Sequence, residues 1–331
     1  MKHMKYIEFF TDGTPNPILL GGKGSNLIKL VKIGINVPPG FIININAYNE
    51  FLKESDYYNK LKEIFSKNLE LKNIMQDSAK IKDLILKSII PKEIVEEIRV
   101  AFDQICEEIG GSVSFAVRSS ATVEDSSKFS FAGQADSFLY NRTFDDILIS
   151  LKKCWASLFS PRAMLYLLQM RKKGIDISLS EIQMAVVVQK MVNSLVSSVL
   201  FTANVVNNDE SQMYINSTWG LGGPIADNSV NPDTIIINKD KFEIIKTIIG
   251  QKEKKSIQNP EASGTIMIET DSQSRGICSL NEIQLHQLHN LGLKIEEAFH
   301  CPQDIELAIE NDVLYTLQTR PITTLKRKSF L

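Results

Sequence analysis

Hydrophobic positions in the first half of the chain follow a helical period over long stretches. Between residues 47 and 109, apolar side chains recur every three or four positions, as at Ile94 and Ile98, and this spacing predicts amphipathic helices. Residues 144–172 show the same period, with a break or restart predicted at Pro161. We therefore expect mostly helical scaffolding in these two segments.

Shorter apolar runs bounded by glycine, proline or polar residues predict strands. Residues 181–192 are apolar enough to predict a strand that is buried on both faces. Further strands are predicted at 115–117, 197–206, 213–217 and 234–238, and a helix at 281–300. Residues 239–274 are polar and predict a hairpin with a mobile loop at 250–264.

Size and charge narrow the class of protein. A chain of 331 residues suggests one large or two medium domains, and 43% hydrophobic with 23% charged residues is typical of a globular protein. With 37 basic and 39 acidic side chains, the overall charge does not favour binding to nucleic acid or to a membrane. Any phosphate site must therefore be assembled locally.

The cysteines and the terminal sequence indicate a compartment. Cys106, Cys154, Cys278 and Cys301 are far apart and form no CxxC pair, so we predict buried thiols in a reducing cytosol rather than a zinc site or a disulfide framework. The first residues contain no apolar run of signal-peptide length, and no stretch approaches the roughly 20 residues of a membrane span. We expect a cytoplasmic protein.

The segment 115–134 is the first candidate for binding a polyanion. A short apolar run is followed at once by Arg118, and a loop of small side chains ends at Gly133 and Gln134. Arginine supplies a fixed charge and a fork of donors, and exposed N–H groups at residues 130–134 could approach phosphate oxygens. The alternative interpretation is an ordinary surface turn with a salt bridge.

The segment 18–30, which contains Gly21-Gly22-Lys23-Gly24, is the second candidate. We predict a short strand that becomes helical after Ser25, so that Lys23 could reach an anion near the start of the helix. The spacing is not that of a P-loop, and a plain turn is the alternative.

Residues 302–321 predict a hairpin that carries a candidate metal site. Alternation places Asp304 and Glu306 on one face of its first strand, and Gln318 and Arg320 on one face of the second. Two carboxylates, an amide oxygen and a guanidinium suit magnesium that bridges phosphates. The alternative is an exposed polar face with cross-strand ion pairs.

Two further features suggest additional ligand contacts. The end of the strand at 181–192, Gln189-Lys190-Met191, could pair with the edge of an adenine, although a simple buried strand is the alternative. His286 and His289 lie three residues apart on the helix at 281–300, where we expect solvated histidines rather than a metal pair.

Taken together and in this order, the motifs resemble the nucleotide-binding domain shared by phosphoenolpyruvate synthase, pyruvate phosphate dikinase and rifampicin phosphotransferase. The resemblance covers essentially the whole chain. Its markers are GGKG (21–24), VPPGF (37–41), VRSSATVED (117–125), SFAGQ (130–134), CWASLFSPRA (154–163), VVQKMV (187–192), WGLG (219–222), NPD (231–233) and QDIE with LQTRP (303–321).

The resemblance implies an α+β, ATP-grasp fold of two lobes, residues 1–190 and 191–325, with ATP and Mg²⁺ between them. By resemblance, Lys23 and Arg118 hold ATP phosphates, and Arg320 grips phosphate as well. The same resemblance assigns the metal to Asp304, Glu306 and Gln318, the cover of the triphosphate to Ser130, Ala132, Gly133 and Gln134, and the border of the adenine to Gln189, Lys190 and Met191.

The resemblance also implies a reaction. A histidine attacks the β-phosphate of ATP and gives a pyrophosphohistidine; the γ-phosphate then leaves to water or phosphate, and the remaining phosphoryl group passes to a final acceptor such as pyruvate or an antibiotic. The family's histidine belongs to a separate swivelling domain, and none of the histidines here has its threonine-serine-histidine context. We therefore expect a partner domain in cis or in trans.

One departure from the family pattern leaves other functions open. The family usually continues GLG with glutamate, whereas Gly223 stands here, followed by Pro224. The lost carboxylate could lower activity or change the acceptor. The alternatives are an ATP-binding sensor or scaffold module without transfer activity, and a ligase that forms an acyl phosphate.

Overall fold

The computed structural model describes residues 4–54, 58–66, 71–121, 136–175 and 181–325. Helices and sheets occur together, so the α+β prediction is confirmed. No helix in these ranges is both long enough and apolar enough to cross a bilayer.

The chain divides into two compact units. The first contains Met1–Ile28 and Pro39–Met191, and the second contains Lys29–Pro38 and Val192–Leu331. This division differs from the predicted lobes mainly by the segment Lys29–Pro38, which groups with the second unit.

The first unit contains a five-stranded antiparallel sheet with the strand order β1-β2-β5-β3-β4. The strands are β1 Ile7–Phe9, β2 Gly40–Ile43, β3 Phe115–Ala121, β4 Ser137–Asn141 and β5 Met184–Lys190. The strand predicted at 115–117 therefore continues through Arg118, which lies inside β3 and not on a turn after it. Alternation directs Val117, Val186 and Phe41 into one hydrophobic core.

Helices cover that core, as the 3.6-residue period predicts. They are α2 Ile45–Glu54, α3 Tyr58–Ser66, α4 Ile74–Lys87, α5 Lys92–Ile109, α6 Phe144–Ser157 and α7 Pro161–Lys172, with a 3₁₀ turn at Leu71–Asn73. The predicted break at Pro161 is confirmed, because Ser160 caps the new helix by accepting from the N–H of Ala163. Trp155 is fully buried in the core, against Phe51 and Tyr48.

The strand predicted to begin at Ile18 is wrong. Residues Pro17–Lys32 form the helix α1 instead, interrupted by the non-helical backbone of Gly21. The side chain of Asn16 accepts hydrogen bonds from the N–H groups of Ile18 and Leu19, and proline is well suited to the first helical position. This local capping outweighs the strand preference of the apolar run.

The second unit contains a six-stranded antiparallel sheet with the order β13-β12-β6-β7-β8-β9. The strands are β6 Val196–Phe201, β7 Gln212–Trp219, β8 Asp233–Asn238, β9 Glu243–Ile248, β12 Gln303–Glu310 and β13 Val313–Pro321. The helix α10, Glu282–Phe299, runs close to β6 and β12 and carries the buried residues Leu285, Leu288 and Ile295. A separate ribbon pairs β10 Lys254–Gln258 with β11 Thr265–Glu269, and two short helices are α8 Gly223–Ala226 and α9 Ser272–Arg275.

Two expectations for this unit need correction. The polar segment contains a hairpin, as predicted, but residues 254–258 of the predicted loop belong to its first strand, β10. His286 is exposed, but His289 is buried and its Nε2 lies 2.7 Å from the carbonyl oxygen of Lys239. Solvation was the wrong expectation for His289, because the turn after β8 packs onto this part of α10.

Candidate functional site

In the first unit, Arg118 and Gln189 lie on the same face of the sheet. Arg118 pairs with Val187 across β3 and β5, and Gln189 pairs with Ala116 of β3 and with Gly40 of β2. Residues two apart on a strand share a face. The intervening residues of β3 and β5 enter the hydrophobic core on the other side. The sheet therefore presents an arginine and a glutamine on its face away from the main core.

The segment Gly21–Gly24 packs onto this same face. The Ser120 hydroxyl donates to the carbonyl oxygen of Leu20 at 2.8 Å and accepts from the N–H of Gly24 at 3.1 Å. A Cβ on Gly24 would lie 3.1 Å from Ile42, and a Cβ on Gly21, whose φ is +68°, would lie 2.1 Å from the Ser120 carbonyl oxygen. Only glycine allows α1 to approach the strand so closely.

The close approach brings Lys23 to β3. Its Nζ donates to the carbonyl oxygen of Ser119, the neighbour of Arg118, at 3.0 Å. Both cationic side chains are half-buried. Two cations held at one strand favour an anion with several negative oxygens.

Gln189 supplies a buried polar group that needs a partner. The residue is only 2% exposed, and its amide nitrogen has no hydrogen-bond partner within the described part of the chain. Buried polar groups are normally hydrogen-bonded, so this donor fits a ligand or an ordered water.

The backbone N–H groups of the next two residues are already hydrogen-bonded within the first unit. The N–H of Lys190 donates to Pro39 and that of Met191 donates to Ser114, each at 2.8 Å, so neither backbone N–H is available to a ligand. The predicted loop residues Ser130, Ala132, Gly133 and Gln134 lie outside the described residues.

In the second unit, the hairpin β12–β13 brings its four predicted residues into two cross-strand pairs. Asp304 pairs with Arg320, and Glu306 pairs with Gln318, so the residues that alternation placed on one face of each strand come together. Asp304 and Gln318 are buried, Glu306 is half-buried, and Arg320 is exposed. Ile305, between the two acids on β12, is fully buried on the opposite face.

The electrostatics of the hairpin centre on Asp304. Burial raises the pKa of this carboxyl group above its ordinary value, while the Arg320 guanidinium opposes the shift and the Glu306 charge adds to it. Arg320 reaches the same oxygen twice, with Nε at 2.8 Å and a terminal nitrogen at 2.7 Å from Oδ2. Arg320, predicted to grip phosphate, is thus held by the predicted metal ligand Asp304.

These residues fit a hard divalent cation by their chemistry. No group of three or more His, Cys, Asp or Glu side chains suited to a metal occurs among residues that the structure describes. The hairpin offers two carboxylates and one amide oxygen instead. Mg²⁺ is usually held by one or two carboxylates together with substrate phosphates, and a buried carboxylate with a raised pKa gains from a nearby cation.

The glycine loop, residues 220–223, is held between two strands. Gly220 has φ +74°, and a Cβ there would lie 2.4 Å from the carbonyl oxygen of Ser256 in β10. The hydroxyl of Ser197 in β6 donates to the carbonyl oxygen of Gly220 at 2.8 Å. Gly223 is exposed, and a Cβ added there would meet no atom of the described residues within 4 Å. The position therefore has room for a side chain.

Sequence reasoning missed one buried constellation in this unit, the ion pair of Asp233 with Lys252. Asp233 belongs to the NPD motif at residues 231–233, whose residue types alone do not indicate an ion pair. Lys252 stands in a polar segment and carried no signal that distinguished it from surface lysines.

The chain is similar in sequence to several curated phosphoenolpyruvate synthases and to a rifampicin phosphotransferase. The chain is 35% identical over 329 residues to a probable phosphoenolpyruvate synthase of Methanocaldococcus jannaschii, covering 98% of this chain and 27% of the relative. It is 35% identical over 370 residues to phosphoenolpyruvate synthase of Pyrococcus furiosus, covering 98% and 44%. It is 36% identical over 310 residues to rifampicin phosphotransferase of Bacillus cereus, covering 93% and 34%.

The chain thus spans less than half the length of these curated relatives. Residues 18–330 match the family described as pyruvate phosphate dikinase, AMP/ATP-binding domain. The resemblance inferred from the motifs is confirmed, and the chain belongs to this AMP/ATP-binding domain family.

Proposed function

We propose that this chain binds Mg-ATP and donates a pyrophosphoryl group to a histidine on a separate swivelling domain, in cis or in trans. The observation that carries the proposal is the hairpin β12–β13, where Asp304 faces Arg320 and Glu306 faces Gln318. Two acids, an amide and an arginine on one sheet face form a set suited to metal-bound phosphates. The match to an AMP/ATP-binding domain family supports ATP as the nucleotide.

In this proposal the first unit binds the anion and the base. Lys23, beside the Ser119 carbonyl, and Arg118, on the same strand, neutralise the phosphate oxygens. Gln189 uses its buried amide to bind the adenine, alongside Lys190 and Met191. Residues 130–134 cover the triphosphate.

In this proposal the second unit neutralises the negative charge of the reacting phosphates. Asp304, Glu306 and Gln318 would hold Mg²⁺, which when bound neutralises charge on the phosphate oxygens. Arg320 has a half-exposed side chain that can leave Asp304 for a phosphate. This rearrangement breaks the Asp304–Arg320 ion pair and forms two charge-assisted contacts, one between Asp304 and Mg²⁺ and one between Arg320 and phosphate. The number of paired charges therefore does not fall.

The reaction follows from this placement. The histidine nitrogen forms a bond to the β-phosphorus while the bond from that phosphorus to the oxygen of AMP breaks. The pyrophosphoryl group is then on histidine, and AMP leaves. Positioning and charge neutralisation account for most of the acceleration in such transfers. Pyruvate, an antibiotic or a similar small molecule would be the final acceptor.

The proposal is tested with ATP labelled at the β-phosphate. The chain is incubated with Mg²⁺ and with histidine-bearing swivelling-domain proteins encoded in the same genome, and acid-labile label on the partner is measured. We expect label from β-labelled ATP and none from α-labelled ATP. The Glu306→Gln variant serves as the matched control, because it keeps the size of the side chain and removes a proposed metal ligand.

The second candidate is an ATP-binding sensor or scaffold module without transfer. It is favoured by Gly223, which replaces the glutamate of the family pattern. Tight Mg-ATP binding without label on any candidate partner would support the sensor and overturn the transferase.

A further inference from the structure

The Asp233–Lys252 ion pair is fully buried, and both oxygens of its carboxylate accept hydrogen bonds. Asp233 Oδ1 accepts from Lys252 Nζ and from the N–H of Gly250, the latter at 2.9 Å. Asp233 Oδ2 accepts from the N–H and the hydroxyl of Ser279, each at 2.7 Å. Both side chains of the ion pair are 0% exposed. Buried charges persist only when they are paired and hydrogen-bonded in this way. Because each carboxylate oxygen already accepts two hydrogen bonds, neither is left for a metal or a substrate.

The backbone around the pair is held equally closely. Lys252 has φ +41°, which a non-glycine residue keeps only where its surroundings impose it. Its Nζ also donates to the carbonyl oxygen of Gly250 at 2.9 Å. A Cβ on Gly250 would lie 2.2 Å from the carbonyl oxygen of Asn231. The segment 250–252 is therefore fixed against the start of β8.

This segment leads directly into β10, which supports the glycine loop. The carbonyl oxygen of Ser256 accepts from the N–H of Leu221 at 2.9 Å, and Gly220 forms a parallel bridge with Ser256. The loop has no room to shift toward β10, because the approach at Gly220 already excludes a Cβ. The position of β10 thus determines the position of residues 220–223 on that side.

A second connection joins the ion pair to the strand before the loop. The hydroxyl of Ser279, which donates to Asp233, lies 2.8 Å from the hydroxyl of Ser217 in β7. Ser217 precedes Gly220 by only three residues. The same carboxylate therefore organises both the strand that enters the loop and the ribbon that supports it.

We propose that Asp233 and Lys252 are positioning residues that hold the ribbon β10–β11 against the glycine loop. The acid of the NPD motif acts through the loop and touches neither metal nor substrate. The functional consequence rests on the proposed function and adds to it that the glycine loop lies near the phosphates of ATP.

Amide hydrogen exchange of the intact chain tests the positioning directly. The Lys252→Met variant removes the cation and keeps the length of the side chain. We expect the Leu221 amide, relative to the Leu200 amide in the centre of the sheet, to exchange at least about tenfold faster than in the parent. The matched control is Lys239→Met, which breaks the Lys239–Glu296 ion pair of the same unit and should leave this ratio unchanged.

A second variant covers the case in which Lys252→Met does not fold, since it leaves a buried carboxylate unpaired. Asp233→Asn combined with Lys252→Met removes both charges, and we expect it to fold with Leu221 still exchanging faster relative to Leu200. A parent-like ratio in the folded double variant would overturn the proposal. So would an equal increase at both amides, which indicates global destabilisation alone.

The exchange measurement needs no nucleotide, so it decides the positioning proposal independently of ATP binding. Mg-ATP titration of the double variant then tests the functional consequence, and we expect weaker binding than in the parent. A parent chain that binds no ATP would refute the proposed function and would leave the exchange result unaffected.

Discussion

The candidate residues of the two units are fixed by different forces. In the first unit, Lys23 reaches β3 because Gly21 and Gly24 let the backbone of α1 approach Ser120. In the second unit, Asp304 and Arg320 are fixed by an ion pair across a hairpin. The first cluster therefore depends on backbone geometry, and the second depends on charge. Substitutions should separate the two.

The largest effect is expected from Gly21→Ala. A methyl group there would meet the Ser120 carbonyl oxygen at 2.1 Å on a backbone with φ +68°. Strain and overpacking together should lower the free energy of unfolding by about 3 kcal/mol or more, measured by urea denaturation. The control is Gly174→Ala, which has φ +79° but no atom of the described residues within 4 Å of the new carbon. Equal losses in both variants would contradict the close-approach argument.

Arg118→Ala tests the cation on the sheet of the same unit. We expect loss of a charge-assisted contact worth about 1.5–3 kcal/mol, hence Mg-ATP affinity weaker by about tenfold or more. Calorimetric titration measures it, and Lys92→Ala, at an exposed position of α5, is the control. Equal affinities for parent and Arg118→Ala would remove Arg118 from the site.

Asp304→Asn tests the charge-dependent cluster through pH. Burial raises the pKa of Asp304 in the folded chain. The unfolded chain therefore loses this proton first as pH rises, so stability begins to fall near the unfolded pKa, and the loss is complete above the folded pKa. Without metal, we expect the variant to be at least as stable as the parent at neutral pH and equal to it at acid pH.

With Mg²⁺ and ATP present, we expect the parent to be more stable than Asp304→Asn at neutral pH. The proton competes with the metal at Asp304, so metal-dependent ATP binding by the parent should weaken as pH falls, and the variant should lack this dependence. Chemical denaturation at several pH values, with and without Mg-ATP, gives both results. A parent that gains stability over the metal-free variant from acid to neutral pH would contradict the raised pKa.

The smallest effect on stability is expected from Gly223→Glu. The position is exposed and open, so the free energy of unfolding should change by no more than about 0.5 kcal/mol. The rate of label transfer to the histidine partner should rise if the missing carboxylate limits activity. An unchanged rate would show that Gly223 is not what sets the activity of this chain.

The sequence predicted those features that depend on local periodicity. Alternation alone placed Asp304 with Glu306, and Gln318 with Arg320, and the structure pairs them across the hairpin. The helices of the first unit followed from their apolar period in the same way.

Features that depend on distant or competing contacts could not be predicted. The helix at Pro17–Lys32 forms because the Asn16 cap outweighs an apolar run that also suits a strand. The burial of Lys252 depends on Asp233, and that of Asp233 on Ser279, 46 residues further along the chain. A hydrogen-bond network between residues so far apart in the chain leaves no periodic pattern in the local sequence.

We propose that Lys23 and Arg118 bind the same nucleotide as the hairpin β12–β13. A crystal structure with Mg²⁺ and a non-hydrolysable ATP analogue tests it most directly. We expect one nucleotide whose phosphates contact Lys23 and Arg118 and whose metal is held by Asp304, Glu306 and Gln318. A nucleotide bound to only one of the two clusters, with the other remote from it, would refute the proposal.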